Sequence, residues 1–386
     1  MIKKYLASLL AFVLAVSSLF AQNYERYKKL KDTTIKSSHL GFDKKLSILV
    51  PIEFQEQTNN QFPLIIVFDK QNKRSNNYIL QTIDYLTSNE QMPSSIIISV
   101  ESEQKYRYIE TQYQISDAGG KALENEKFIF YELVPLAERK YKASKFRLLI
   151  GHSRYGYFTT SIVNSRLADW SAIISMSPFF SQKNVELTDS ISKLNNRNLT
   201  HKKYYRFGIG NDYPDDFAKM DAVEKRNQNP LFDMRGYHFK EADHNSTPGL
   251  VIQTALYEIF EQWYAIQSKY ISNKQTDLSI KPALDKDILS NYGEKINFSL
   301  GILNGKGWYF YNNKKYDKAI EAWKILLNAY PNFSEAYLYV VQSQVQLKQR
   351  YDETIKAFNN SLANSEFYTE KQKKDLNAEL QELIKQ

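Results

Sequence analysis

The run Gly151-His152-Ser153-Arg154-Tyr155-Gly156 follows directly on the apolar stretch Leu148-Leu149-Ile150. A strand that runs into Gly-x-Ser and then into a helix leaves the serine exposed on a sharp turn at the strand's carboxyl end. A serine hydroxyl is a poor nucleophile near neutral pH, so the reading requires a base and an orienting carboxylate later in the chain. His244 is the candidate base. It lies in Asp243-His244-Asn245-Ser246-Thr247-Pro248, where Thr247 and Pro248 have the character of a helix cap and first turn. Asp212 is the candidate acid, at the end of Phe207-Gly208-Ile209-Gly210-Asn211-Asp212. Asp215 and Asp216 follow closely and could take its place, or all three could form a solvated acidic turn.

The developing oxyanion needs N–H donors. One is the backbone N–H of Arg154. A second should come from Asp69, Lys70 or Gln71, after the strand that ends at Phe68, and Lys70 is taken for that role. The second glycine of a Gly-x-Ser-x-Gly turn is displaced: Tyr155 holds its place and glycine comes one residue later. The plain alternative for Ser153 is a helix cap. His152 is expected to point away along the strand as a structural residue.

Apolar runs at 46–50, 64–68, 96–100, 146–150, 172–176 and 204–209 read as strands, several apolar throughout, as strands covered on both faces are. Helical spacing intervenes around 78–86, over 128–141, after Ser153 to about 166 and from 248 to about 264. Strands alternating with helices predict an α/β, doubly wound, mainly parallel sheet over 22–269. Residues 270–295 are polar and read as a linker with one helix. Beyond them, from 296 to 386, the chain repeats at a spacing of 35: Tyr316-Asp317 as Tyr351-Asp352, Ile320 as Ile355, Trp323 as Phe358, Leu327 as Leu362. This pattern predicts a small all-α unit of tetratricopeptide-like helical hairpins, with one good copy and one degenerate copy as the cautious count.

Residues 1–21 have the layout of a secretory signal: Lys3 and Lys4, an apolar run from Leu6 to Leu19, and a small residue at Ala21. The run is short for a permanent span, so the mature chain is expected to be secreted or periplasmic, in a bacterium, without a membrane span. The chain has no cysteine, which excludes disulfides and thiolate metal sites. Its formal charge is +8, or +6 once Lys3 and Lys4 leave, and the lysines are scattered. That distribution argues against nucleic acid as a partner.

Further pieces fit one known family in the same order: Phe68-Asp69, Tyr106-Arg107, Glu132-Leu133-Val134-Pro135 through Arg139-Lys140-Tyr141, Gly151-His152-Ser153, Ser175-Met176-Ser177-Pro178 and Asp243-His244-x-Ser246-x-Pro248. From about 40 to 265 the chain resembles the esterase family of α/β-hydrolases that includes esterase D and the enterochelin esterases. The resemblance implies Ser153 as nucleophile, His244 as base, Asp212 by position as acid, and a pocket near Arg107, Phe179 and Phe180. It implies no metal and no organic cofactor. The expected function is a Ser-His-Asp esterase acting on a small-molecule or glycan-linked ester. The alternative is a weak or inactive hydrolase-fold scaffold whose helical tail engages a protein partner or a second copy; Tyr155 and Lys70, where the family carries glycines, favour it.

Overall fold

A computed structural model describes residues 24–54, 60–113, 119–182, 185–272 and 278–385. The leader expected at 1–21 lies outside the described residues. Strands β1 (Tyr27–Lys29), β2 (Thr33–Lys36), β3 (Asp43–Pro51) and β4 (Phe62–Val67) come first, then helix α1 (Lys73–Ser88), β5 (Ile96–Val100) and α2 (Gln104–Glu110). Residues 122–141 form one helical run: α3 (Ala122–Lys127), a π-helical segment Phe128–Leu133 and α4 (Val134–Tyr141). Next come β6 (Ala143–His152), α5 (Arg154–Ser165), β7 (Ala172–Met176), the short pair β8 (Ser181–Gln182) and β9 (Val185–Glu186), and α6 (Leu187–Ser192). The sheet is completed by β10 (Lys203–Ile209), α7 (Pro214–Arg226) and β11 (Phe232–His238), and α8 (Thr247–Ser272) follows.

The described residues build a nine-stranded sheet in the order β1-β3-β5-β4-β6-β7-β10-β11, with β2 paired on β3. The pairs from β5 to β11 are parallel, and β1, β2 and β3 join antiparallel. The expected α/β architecture is therefore present. Period-two alternation divides the central strands between two cores: Ile65, Val67, Leu148 and Ile150 face α1 and α8, while Leu64, Ile66 and Leu149 face Phe128, Leu133, Phe158 and Ile162. Both faces are covered, which is why these segments read as unbroken apolar runs. Chain order reverses direction across β4 and β6, so the carboxyl ends of these neighbours frame a crevice.

The last third is helical: α9 (Lys281–Tyr292), α10 (Leu300–Asn312), α11 (Tyr316–Ala329), α12 (Glu335–Gln346), α13 (Asp352–Asn364) and α14 (Glu370–Leu383). The stretch read as a linker does carry a helix, and it is packed: the buried Tyr292 hydroxyl accepts from Trp263 N at 2.9 Å. The boundary expected after Lys269 falls inside the last turn of α8, and the core does not break there. Trp263 and Tyr270 share one apolar cluster with Phe298, Phe310, Trp323 and Leu326. Gly307 is small because Trp323 lies against it; a Cβ there would sit 2.2 Å from the indole nitrogen.

Trp323→Ala is expected to destabilise the protein by about 3–5 kcal/mol, read as a lowered urea midpoint with both the sheet and the tail affected, because their cores are continuous.

Candidate active site

Gly151 is the next-to-last residue of β6, where the chain must double back. A Cβ at Gly151 would lie 2.2 Å from the carbonyl oxygen of Tyr155, so the turn between β6 and α5 closes only over glycine. Ser153 sits at its apex with φ 59° and ψ −119°, a conformation that L side chains rarely adopt. Its side chain makes no capping hydrogen bond to α5, so the helix-cap alternative does not explain the serine. The turn is tied to the next strand, because Ser153 N donates to Met176 O at 2.9 Å. Close approach to that strand is made by Gly156, where a Cβ would lie 3.0 Å from Met176 O. Glycine is thus needed at 151 and 156, and position 155 is free to carry a large side chain.

Tyr155 uses that freedom. It is fully buried, stacks on Phe68 at 4.5 Å, and its hydroxyl donates to Glu110 Oε1 at 2.5 Å. Glu110 also accepts from the buried Lys44 ammonium at 2.8 and 3.0 Å. Burial, then the Glu110 and Asp69 charges, raises the Tyr155 pKa well above its usual value, so the ring is a neutral donor beneath the turn.

The two loops that follow β10 and β11 bring His244 to Asp212. His244 Nδ1 lies 2.6 Å from Asp212 Oδ2, and Asp212 Oδ1 accepts from Gly210 N at 3.1 Å. The loops touch through backbone: Asn211 N donates to Ala242 O at 2.8 Å, and a Cβ on Gly210 would stand 2.1 Å from that same oxygen. Asp243 shapes the His244 loop by accepting from Asn245 N and Ser246 N at 3.1 and 2.7 Å. Its carbonyl accepts from Thr247 N at 3.0 Å as α8 begins. Ser153, His244, His152 and Arg107 line one cavity of about 280 Å³, walled also by Asp69, Gln71, Asn72, Gln104 and Asn245.

The other sequence expectations fare differently. Asp216 accepts from Phe180 N at 3.4 Å and Asp215 is exposed, so neither is the partner of His244. Arg107 lines the cavity, with its guanidinium forked on Asp69 at 2.8 and 2.7 Å. Phe179 stacks on Tyr157 at 4.9 Å and edges Tyr213, which in turn edges the His244 ring at 5.8 Å. Phe180 is 0% exposed in the core beside Phe207, which removes it from the pocket. Lys70 is also corrected: its N–H donates to Val100 O at 3.0 Å, extending the sheet, and its ammonium pairs with Asp32 at 2.7 Å. Gln71, the next residue, lines the cavity instead.

His152 does not point away. Its Nε2 is 2.9 Å from the His244 carbonyl and its ring is 4.7 Å from the His244 ring. Burial, reinforced by the nearby His244, pushes its pKa down from 6.5 to about 4. A neutral ring donates from Nε2 to that carbonyl and holds the His244 loop over the turn. No motif marked this role, because it depends on a carbonyl 92 positions away. Among the described residues no group of three or more His, Cys, Asp or Glu side chains could hold a metal ion.

Since the folded pKa of His152 lies below the unfolded value, its neutral form stabilises the fold fully above pH 6.5. That contribution declines as the pH falls from 6.5 toward 4, by at most about 3 kcal/mol. His152→Gln is expected to flatten the stability profile across that window, measured by urea unfolding at stepped pH. Gly151→Ala is expected to abolish the turn, read as loss of serine labelling by a fluorophosphonate probe.

The structure resembles an IroE-like serine hydrolase from Shewanella oneidensis, with a TM-score of 0.61 and 14% identity over 78% of this chain and 99% of that one. It also resembles an uncharacterised protein from Capnocytophaga ochracea, with a TM-score of 0.60 and 14% identity over 92% and 99% of the two chains. The BES protein from Bacillus cereus follows at a TM-score of 0.51 and 16% identity, over 61% and 95%. At these identities the likeness is one of fold. No curated protein matches the sequence. The family described as putative esterase matches residues 37–229, half of the chain, including Ser153 and Asp212. The chain belongs to that esterase family.

Proposed function

We propose that this protein is a serine esterase that hydrolyses carboxylic esters through Ser153, His244 and Asp212. The observation that carries the reading is the 2.6 Å contact of His244 Nδ1 with Asp212, made at the wall of the cavity that Ser153 also lines. Asp212 fixes the ring so that Nε2, its other nitrogen, faces the chemistry. His244 takes the Ser153 proton as the hydroxyl attacks the ester carbonyl, and returns it to the departing alcohol. Water then enters by the same route in reverse and releases the acid.

The Arg154 N–H, at the start of α5, supplies one oxyanion donor. With the Lys70 N–H held by Val100 O, the second is assigned to the backbone N–H of Gln71. Tyr155 and Lys70 carried the scaffold alternative, and both lose their weight. Tyr155 fills the core beneath the turn, and the Lys70 N–H serves the sheet. The layout of residues 1–21 supports export, and the 35-residue spacing of paired helices supports a tetratricopeptide-like tail. Among the described residues no helix is long and apolar enough to cross a membrane.

Purified protein is expected to hydrolyse short-chain p-nitrophenyl esters and to be labelled at Ser153 by a fluorophosphonate. Ser153→Ala is expected to lower kcat about a thousandfold or more, and Asp212→Asn about a hundredfold or more, with unchanged thermal midpoints. Equal rates for wild type and Ser153→Ala would refute the reading.

A further inference from the structure

Arg154 follows the nucleophile directly, and its side chain interacts with Tyr108. The guanidinium carbon lies over the Tyr108 ring, 3.9 Å from the centroid, and the residue is only partly exposed. Among the described residues no carboxylate forms an ion pair with it, whereas Arg107, in the cavity wall, is neutralised by Asp69 at 2.7 Å. Nη1 of Arg154 is buried without a hydrogen-bond partner among the described residues. Burial weighs against its charge, Tyr108 and Tyr213 favour it, and Arg107 repels it, leaving its pKa below the usual arginine range. A half-buried guanidinium with an idle N–H is unfavourable unless something arrives to accept from it.

The position says what arrives. Tyr108 is next to Arg107, Tyr213 is next to Asp212, and Tyr213 edges the His244 ring. Arg154 follows Ser153 in the chain and interacts electrostatically with Tyr108, Arg107 and Tyr213, which places its guanidinium beside the crevice. The cavity offers Gln71, Asn72, Gln104 and Asn245 as amide donors and acceptors for a polar substrate. Resting on the esterase reading above, we infer that the substrate is a hydrophilic ester carrying a carboxylate a few bonds from the scissile carbonyl, bound by the Arg154 guanidinium. The planar fork of arginine matches a carboxylate in two parallel hydrogen bonds, and the Tyr108 face holds it in place for that contact.

Two matched ester pairs test this, one with the carboxylate on the acyl side and one with it on the alcohol side: mono-4-nitrophenyl adipate against 4-nitrophenyl hexanoate, and 4-acetoxybenzoate against its methyl ester. In at least one pair the anionic member is expected to have a kcat/KM about tenfold higher, through KM, as one charge-assisted contact would give. The ratio should shrink at high salt. In Arg154→Gln it should fall to about one, with Arg154→Lys recovering part of it. Ratios within twofold in both pairs, or a preference that survives in Arg154→Gln, overturn the inference while leaving the esterase intact. Failure to hydrolyse any of the four esters, together with no fluorophosphonate labelling of Ser153, overturns the esterase reading itself.

Discussion

A backbone turn tight enough to hold Ser153 at positive φ is the constraint around which the molecule is arranged. L residues avoid that conformation, so it persists only where surrounding contacts over-determine it. Here they come from both sides. The carbonyl of Tyr155 packs against the bare Cα of Gly151, and the Ser153 N–H is held by Met176 at the end of the neighbouring strand. The same linkage continues outward, for Ser177 takes φ 41° and donates to Gly208 O at 2.7 Å. Strand ends β6, β7 and β10 are thereby laced together, and a hydroxyl on the first keeps a fixed relation to a carboxylate beyond the third.

Fixing the base takes a second device. Arg206 on β10 is wholly buried, 3.2 Å from Asp233 on β11 and within ion-pair distance, 3.3 Å, of Glu258 on α8, though the latter pair is not aligned as a hydrogen bond. A buried charge with these partners resists any sliding of α8 against the sheet, because separation would strand the guanidinium. The loop with His244 precedes α8 directly, so helix placement becomes ring placement. His152 adds a tie from beneath through the His244 carbonyl.

The tail belongs to the same mechanical unit. α8 begins at the loop of the candidate base and ends in an apolar cluster with α10 and α11, where Trp323 packs between Gly307 and Trp308. Tyr330 donates to Phe298 O at 2.7 Å within that cluster. The helical hairpins thus cover the outer side of the helix that carries the base loop, as well as forming a smaller terminal core around Phe358 and Leu362.

The buried strands were legible because period-two burial on both faces leaves continuous apolar runs, and the turn because Gly-x-Ser between a strand and a helix has few other uses. The candidate base and acid were legible from capping residues and a strand-terminal glycine, which are local signals. β11 was not: Phe232–His238 alternates apolar and polar residues at the sheet edge and carries a glycine, so its pairing with β10 is a tertiary fact. Nor could the sequence say that the Lys70 N–H would extend the sheet, that Phe180 would turn into the core, that Tyr155 would find Glu110 and Glu110 would find Lys44, or that His152 would reach the His244 carbonyl. Each depends on which atoms of distant segments meet. The sequence by itself determined where the chain must bend and which stretches must be buried, since steric and hydrophobic preferences act over a few residues. Only the tertiary structure decided which donor, which carboxylate and which ring face one another, because hydrogen bonds act between atoms about 3 Å apart, whatever their separation along the chain.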